Sequence, residues 1–246
     1  MKKVVLLSAY GAPISTAYLQ RLVQISGMEI FVVYELNPKL QDTIARIYKE
    51  RFGNSAPVFL PPEKIMSPKP VKVFTISQCN SPENLQLIRN IKPDLIILGG
   101  TGIVKEELLA IPSVGTINCH PGILPRYRGC TCVEWAIYED EPVGATCHFV
   151  TKEIDAGDIL IKKTMPILKG MTYRDIRLSM FYFQADLLAL CLKDWAENEK
   201  QDLRRVEAFD WNSARYYNPI PDPLLQEVLK KITEQTYLHM KDSVDD

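Results

Sequence analysis

An asparagine and a histidine two positions apart are the first residues in this sequence whose types and spacing could carry chemistry. Asn118 and His120 stand at the end of a strand-like stretch over residues 114–119, and side chains two apart in a strand share one face. Pro121 ends strand pairing directly after His120. An asparagine amide can donate to a developing oxyanion, and a histidine can give or take a proton near neutral pH. By itself, however, an Asn-x-His pair is more often a packing or surface feature.

A carboxylate at Asp155 is the second candidate. It precedes Ala156-Gly157-Asp158 in a predicted loop over residues 153–158, between two predicted strands. A carboxylate beside a histidine raises the pKa of the imidazole and fixes its orientation. Taken alone, an Asp-Ala-Gly sequence is usually only a turn.

The elements that must position these residues alternate along the first hundred positions. Apolar, β-branched runs predict strands, and each is followed by a segment with helical spacing. The predicted strands are residues 4–7, 30–34, 71–76 and 94–98, and the predicted helices are residues 16–26, 40–52 and 82–91. This alternation predicts an α/β fold with a Rossmann-like, doubly wound, mostly parallel sheet. Ligands of such sheets bind beyond the carboxyl ends of the strands, where Asn118 and His120 lie.

The second half of the chain predicts a different arrangement. Residues 144–150 and 159–167 read as strands on either side of the Asp155 loop, and a capping box at Thr172 opens a helix that runs to about residue 197. Its apolar positions predict a core-facing side, namely Ile176, Met180, Phe183, Leu187 and Leu190. A last helix is predicted over residues 224–238. We expect a catalytic domain over residues 1–198 and a C-terminal extension, with an aromatic segment and this helix, over residues 199–246.

Together the motifs carry more information than either does alone. The string N-x-H-P-G-x-L-P-x-Y-R-G over residues 118–129, followed by D-A-G-D at residues 155–158, resembles the folate-dependent formyltransferase family. That family includes the glycinamide ribonucleotide, methionyl-tRNA and nucleotide-linked aminosugar formyltransferases, and the chain is most similar to the short aminosugar enzymes. The resemblance covers roughly residues 70–190.

The resemblance implies a catalytic set of Asn118, His120 and Asp155. Asn118 and a protonated His120 would stabilise the oxyanion formed when an amine attacks the formyl carbon of 10-formyltetrahydrofolate. Asp155 would hold His120 while the proton moves from the amine to the leaving nitrogen. His148 matches a histidine of the purine-pathway relatives. It could act in the site, and a purely structural role is equally open.

The folate pocket of the family is built from loop backbone, and the resemblance assigns it to three loops here. The matching residues are Gly102, Ile103 and Val104; Gly122, Ile123, Leu124 and Pro125; and Ala156, Gly157 and Asp158. The glycines at 99, 100 and 102 fail the dinucleotide fingerprint, because its final small position falls on Lys105.

The sequence says less about which amine accepts the formyl group. Tyr10 stands where purine-pathway relatives have a glycine-rich phosphate loop, and residues 199–246 are short for the C-terminal barrel of tRNA enzymes. We therefore expect a small-molecule amine, with a nucleotide-linked aminosugar favoured. The expected acceptor-binding residues are Tyr10, Tyr127, Arg128, Trp211, Arg215 and Tyr217, although these aromatics could instead pack the C-terminal segment onto the core. Glycinamide ribonucleotide or another small amine as acceptor, and hydrolysis of the folate donor, remain alternatives.

Composition narrows the class of partner. The formal net charge is −1, whereas nucleic-acid-binding proteins usually carry a basic excess, so we expect no nucleic-acid partner. No apolar run approaches the ~20 residues that span a bilayer, so we expect no membrane partner. Six cysteines without a secretory signal predict reduced thiols and a cytoplasmic location. Cys130 and Cys132 lack a second pair at zinc-site spacing, so no metal is expected. A homodimer remains open.

Overall fold

The computed structural model describes residues 1–53, 59–198, 203 and 207–243. Its strands are β1 (Lys2–Ala9), β2 (Met28–Glu35), β3 (Val71–Ile76), β4 (Leu95–Leu98), β5 (Gly115–His120), β6 (Arg128–Gly129), β7 (Gly144–Phe149), β8 (Ile159–Thr164), β9 (Ile167–Leu168), β10 (Tyr216–Tyr217) and β11 (Met240–Lys241). Its α-helices are α1 (Pro13–Leu22), α2 (Pro38–Phe52), α3 (Pro82–Ile91), α4 (Glu106–Leu109), α5 (Cys132–Tyr138), α6 (Tyr173–Glu197) and α7 (Asp222–Thr233).

The central sheet has seven strands in the order β3-β2-β1-β4-β5-β7-β8. The first five are parallel; β7 pairs antiparallel with β5, and β8 pairs antiparallel with β7. The chain moves to one side of β1 for β2 and β3, and then to the other side for β4 and β5. The switch point therefore lies between β1 and β4, which confirms the predicted doubly wound, mostly parallel sheet.

Both faces of the sheet are covered. Val4 and Leu6 of β1 belong to the larger apolar core, which includes α1 and α6. Val5 and Leu7 face the smaller core formed with α3 and α4. A strand buried on both sides needs no polar alternation, and this explains the continuous apolar run at the start of the sequence.

Helix α6 begins as predicted. The Thr172 side chain accepts from the Asp175 N–H, and the Asp175 carboxylate accepts from the Thr172 N–H, so the capping box is present. The core-facing assignment of Leu190 is wrong, because that side chain is 51% exposed. A seven-residue spacing drifts by about 20° per repeat around an α-helix, and over 25 residues the buried face passes to Leu188 and Leu192 instead.

The last helix is shorter than predicted. It ends at Thr233 rather than at residue 238. Gln235 takes a left-handed φ of 55°, and the chain turns so that Tyr237 is buried with its hydroxyl donating to the Glu141 carbonyl. Burial of one aromatic side chain thus ends the helix early.

The described residues within 199–246, the predicted C-terminal extension, pack on the preceding part of the chain at several places. Strand β10 pairs with β6, β11 pairs with β9, and α7 packs against α5. Residues 199–202, 204–206 and 244–246 of the predicted extension, and residues 54–58 of a predicted loop, lie outside the described residues. No helix in the described ranges has the length and apolarity needed to cross a membrane.

Candidate active site

Asn118 lies where three strands meet. It is paired in register with Leu98 of β4 on one side and with His148 of β7 on the other. Its side chain lines a cavity at the carboxyl edge of the sheet, and no described residue forms a hydrogen bond with its amide. The amide N–H is therefore free to donate to a bound oxygen.

His120 ends β5 on the same face, and it is 4% exposed. Its Nε2 lies 2.8 Å from the Tyr127 carbonyl oxygen. Because a carbonyl only accepts, Nε2 carries the proton of this bond. Its Nδ1 lies 3.4 Å from Asp155 Oδ2. Burial lowers the pKa of His120, although Asp155 opposes the shift, so the ring is neutral near pH 7 and Nδ1 can accept a proton.

Asp155 occupies the loop between β7 and β8 in a left-handed conformation, with φ 49°. Its Oδ2 accepts from the Gly129 N–H at 3.0 Å. Burial opposes ionisation of this carboxyl, but the imidazoles of His120 and His148 and the Gly129 N–H outweigh burial and hold its pKa well below the usual range. Asp155 is therefore a carboxylate that can stabilise a proton held on His120.

His148 repeats the arrangement of His120 on the other oxygen of the carboxylate. Its Nδ1 lies 2.8 Å from the Phe149 carbonyl oxygen, and its Nε2 lies 3.6 Å from Asp155 Oδ1. This Nε2 is buried without a hydrogen-bond partner among the described residues. One carboxylate thus stands between two buried imidazoles, and each imidazole has one nitrogen bound to a backbone carbonyl.

Arg128 anchors the residue before Asp155. Its Nε and Nη2 donate to the Ile154 carbonyl oxygen at 3.0 and 2.7 Å. The guanidinium is also within 5.1–5.9 Å of three ring centroids, those of Phe209, Trp211 and Tyr216. This side chain was predicted to bind the acceptor, and in the structure its guanidinium is engaged by the protein.

The cavity beside Asn118 has a volume of about 350 Å³. Gly102, Ile103 and Val104, which were predicted to contact the folate, line it together with Asn118, His148 and Asp155. Sequence reasoning missed Val150 to Ile154, which also line it. Their position, between the end of a strand and the Asp155 loop, is the signal that could have found them.

The other predicted folate residues do not line this cavity. Leu124 is fully buried, and Thr146 fixes the turn before it by donating to the Gly122 carbonyl and accepting from the Leu124 N–H. Ala156 and Gly157 are buried, and a Cβ on Gly157 would lie 1.8 Å from the Phe149 carbonyl oxygen. Seven of the predicted folate-contact residues are absent from the lining of this cavity, and folate contact stays a prediction for them, namely Gly122, Ile123, Leu124, Pro125, Ala156, Gly157 and Asp158.

The predicted acceptor residues do not form one surface. Tyr127 and Tyr217 are 2% and 9% exposed; their rings stack on each other and both hydroxyls donate to Glu139. They belong to the core, which argues against stacking on a ligand. Trp211 is exposed but sits against Arg128, while exposed Arg215 forms a hydrogen bond with the Tyr217 hydroxyl. The aromatics thus pack the C-terminal segment onto the domain.

A second, larger cavity of about 580 Å³ shares no lining residue with the first. Cys130 and Thr131, which follow β6, form part of its wall, and α2, α5, α6 and α7 supply the rest. Its floor holds Glu134, whose carboxylate accepts from the Tyr173 hydroxyl at 2.6 Å and pairs with Arg177 at 3.4 Å. Burial opposes ionisation of Glu134, but Arg177 and Arg51 lower its pKa. No sequence pattern pointed to this buried charged cluster.

Known proteins share both the sequence and the fold of this chain. Residues 1–188 match the family model described as formyl transferase. A methionyl-tRNA formyltransferase from Acetivibrio thermocellus is 33% identical over 157 residues, which are 63% of this chain and 50% of that protein. Another from Ruminiclostridium cellulolyticum is 34% identical over 120 residues, which are 48% of this chain and 38% of that protein. The chain thus spans about half the length of the first of these curated relatives, and less of the second.

Solved structures share the fold at lower identity. A sugar N-formyltransferase from a Shewanella species has a TM-score of 0.59 at 21% identity, with 89% of this chain and 77% of that chain covered. A glycinamide ribonucleotide transformylase from Symbiobacterium toebii has a TM-score of 0.59 at 20% identity, with 85% and 95% covered. The formyltransferase PseJ from Anoxybacillus kamchatkensis, in complex with a formylated UDP-sugar and tetrahydrofolate, has a TM-score of 0.51 at 15% identity, with 94% and 92% covered.

Proposed function

The chain belongs to the formyl transferase family, whose model matches residues 1–188, and from this premise we propose that it transfers a formyl group from 10-formyltetrahydrofolate to the primary amine of a small molecule. The observation that carries the proposal is that Asn118 and Asp155 line one cavity while His120 Nδ1 lies 3.4 Å from Asp155 Oδ2. A two-substrate transfer also needs room for the acceptor, and the second cavity is lined by Cys130, the residue after the Gly129 whose N–H donates to Asp155.

The cavity beside Asn118 fits the folate donor. The Gly102 loop forms one wall and residues 150–155 form the other, and Ile103 and Ile154 expose apolar side chains there. No heavy atom lies within 4 Å of a Cβ built on Gly102, so a flat ring system can approach that backbone closely. The donor supplies a formyl carbon on a nitrogen that leaves once it is protonated.

The residues then have separate roles. The Asn118 amide donates to the formyl oxygen as that oxygen gains negative charge. Neutral His120 accepts the amine proton at Nδ1, and Asp155, 3.4 Å away, stabilises the imidazolium. The same proton passes from His120 to the leaving nitrogen. This order replaces the expectation that His120 is protonated from the start, because burial lowers its pKa.

For the acceptor we favour a nucleotide-linked aminosugar bound in the larger cavity. The hydroxyls of Thr131 and Tyr173 in its wall suit the hydroxyl groups of a sugar. Arg51 reaches the same cavity and forms no hydrogen bond or ion pair with another described residue, so its guanidinium can bind a phosphate. Structural neighbours include sugar N-formyltransferases, although that likeness concerns the fold.

The loop after β1 argues against glycinamide ribonucleotide as acceptor. A phosphate at the start of α1 would need free backbone N–H groups. Pro13 has none, the Ile14 N–H interacts with the Tyr48 hydroxyl, and the Ser15 N–H donates to the Ala12 carbonyl. Tyr10 packs its ring against Tyr34 and Phe59 beside this loop.

Methionyl-tRNA is a second candidate acceptor. The observation in its favour is the 33–34% identity to curated methionyl-tRNA formyltransferases. Against it stands the net charge of −1, since a protein that neutralises many phosphates needs an excess of lysine and arginine.

The test is a panel of acceptors offered with isotopically labelled 10-formyltetrahydrofolate. It contains nucleotide-linked 3- and 4-aminosugars, glycinamide ribonucleotide, charged initiator tRNA, and no acceptor. We expect labelled formamide on an aminosugar. Turnover of glycinamide ribonucleotide or tRNA without any aminosugar would contradict the acceptor proposal alone. Labelled formate released at the same rate with and without every acceptor would show that the protein hydrolyses the donor and does not transfer the formyl group.

We also place the activity in the cytoplasm. All six cysteines are free thiols, four of them buried, and such thiols persist in a reducing compartment. A homodimer stays a prediction, with analytical ultracentrifugation as its test.

A further inference from the structure

Two consecutive residues of β6 hold Asp155 from opposite ends. The Gly129 N–H donates to the carboxylate, while the Arg128 guanidinium donates twice to the Ile154 carbonyl oxygen. That carbonyl belongs to the peptide plane that ends at the Asp155 nitrogen. Fixing this plane fixes one side of the φ rotation, so Arg128 acts on the backbone of Asp155 and Gly129 acts on its side chain.

The Asp155 backbone needs this support. Its φ of 49° lies in the left-handed region, which is unfavourable for a residue with a Cβ and persists only where the surroundings enforce it. Ala156 and Gly157 follow in a buried turn, but Ile154 before it is 45% exposed. On that exposed side, the paired hydrogen bond from Arg128 holds the backbone in place.

Arg128 is itself held by three rings of the C-terminal segment. Phe209, Trp211 and Tyr216, here called the aromatic clamp, place their ring centroids 5.6, 5.1 and 5.9 Å from its guanidinium carbon. These distances are within the range of attractive cation–π contacts. Trp211 is 56% exposed and Tyr216 is 50% exposed. Burial in the core therefore does not explain their positions, whereas contact with Arg128 does.

The backbone of β6 is fixed by the same segment. The Arg128 N–H donates to the Arg215 carbonyl at 3.1 Å, and the Cys130 N–H donates to the Tyr217 carbonyl at 2.9 Å. At its other end the segment pairs with β8 through Ile159 and Glu207. The segment therefore touches both β6 and the strand that follows the Asp155 loop.

We propose that Arg128 is a positioning residue that, oriented by the aromatic clamp, sets the conformation of Asp155. The proposal rests on the proposed function, since it assigns Asp155 to catalysis. It also replaces the expectation that Arg128 and Trp211 bind the acceptor. The C-terminal segment then contributes to the reaction through Asp155 without contacting either substrate.

The variant that tests this is Arg128→Lys, which keeps the charge but loses the two-donor fork and the planar face. Arg126→Lys is the matched control, because Arg126 lies over the Tyr127 ring and pairs with Glu139 and Glu141 rather than with the Ile154 carbonyl. Trp211→Ala tests the clamp without changing any charge. Thermal unfolding of each variant shows whether the fold is intact.

Kinetics separate positioning from binding. We expect Arg128→Lys to lower kcat about ten- to a hundredfold, as small misplacements of catalytic groups do, with both KM values within about threefold. In an Asp155→Asn background the same change should cause no further loss, because residues acting through one another are not additive. A rise in acceptor KM at unchanged kcat, or additive losses in the double variant, would overturn the proposal and return Arg128 to acceptor binding.

A second readout does not depend on turnover. The titration of His120, followed by NMR of its ring protons, responds to Asp155, His148 and Arg128. Displacing Asp155 removes a stabilising carboxylate, so we expect Arg128→Lys and Trp211→Ala to lower the pKa of His120. Arg126→Lys should leave the pKa of His120 unchanged. An unchanged His120 titration would overturn the proposal. If wild-type protein transfers no formyl group while the titration shifts, the proposed function fails and the positioning role survives.

Discussion

At the scale of residues, the site is a carboxylate between two imidazoles with a free amide beside them. Asp155 contacts both His120 and His148 at 3.4 and 3.6 Å, and Asn118 lines the adjoining cavity without a partner among the described residues. The carboxylate is fixed by a backbone N–H, while the amide is free. The fixed Asp155 carboxylate is thus suited to stabilise a proton held on His120, and the free Asn118 amide is suited to bind the substrate oxygen.

Asp155→Asn is expected to lower kcat about 10²- to 10³-fold, the usual cost of removing one electrostatic partner of a transition state. The neutral amide no longer stabilises the His120 imidazolium, although it can still accept from the Gly129 N–H. Asp186→Asn, which removes an exposed carboxylate paired with Arg21, is the control and should keep wild-type activity. Steady-state kinetics on both proteins decide the matter, and equal activity would remove Asp155 from the mechanism.

The pH dependence of kcat follows from the direction of the His120 pKa. Burial lowers this pKa below the ordinary value of about 6.5, and the mechanism uses the neutral ring. We therefore expect kcat to rise with pH through an acidic limb below about 6.5 and then to stay level. In Asp155→Asn the limb should move to still lower pH. An activity that falls as the pH rises through this range would show that the protonated ring is the reactive form.

At the scale of elements, loops after neighbouring strands bring the site together. The pairing of Asn118 with His120 on one face could be predicted, because strand periodicity and Pro121 fix it. The contact with Asp155 could not, since it depends on β7 pairing antiparallel with β5 and on the loop that joins β7 to β8. Nor could the burial of Tyr217, which requires β10 to pair with β6 across nearly ninety positions. Local spacing carries no information about such long-range pairing.

Gly157→Ala tests the packing of the Asp155 loop. A Cβ there would lie 1.8 Å from the Phe149 carbonyl oxygen, so the loop or strand β7 must shift. We expect a loss of stability of about 1–3 kcal/mol, the typical cost of overpacking, and a loss of kcat. Gly102→Ala is the matched control, because nothing lies within 4 Å of its Cβ, and it should melt like wild type. Denaturant unfolding measures both, and equal stability of the two variants would contradict the close approach of the loop to β7.

At the scale of the whole molecule, the structure has two cavities that share no lining residue, and Asn118 and Asp155 line one of them. Sequence reasoning predicted the doubly wound sheet and the Gly102 loop of that cavity, because motif and strand order coincide there. It did not find the proposed acceptor cavity: the Glu134, Tyr173 and Arg177 cluster is drawn from two helices far apart in sequence. Nothing in the local pattern of either helix shows that its charged residues are buried together.

Binding of a reduced folate should stabilise the whole chain. A ligand at about a hundred times its dissociation constant adds about 2.7 kcal/mol, which corresponds to a rise of about 5–10 °C in Tm for a chain of this size. The measurement is thermal unfolding with saturating tetrahydrofolate. The oxidised pterin ring alone serves as a weaker-binding control. The absence of any rise with tetrahydrofolate would contradict assignment of the 350 Å³ cavity to the donor.

Transfer of a formyl group from folate to an amine at Asn118, His120 and Asp155 is tested most directly by following a labelled formyl carbon through a single turnover. The reaction is run with and without the preferred amine, in wild type and in Asn118→Ala. We predict labelled formamide on the amine in wild type, no consumption of donor without amine, and a rate about 10²- to 10³-fold lower in the variant. Labelled formate formed at the same rate with and without amine, or a variant within about threefold of wild type, would contradict this mechanism.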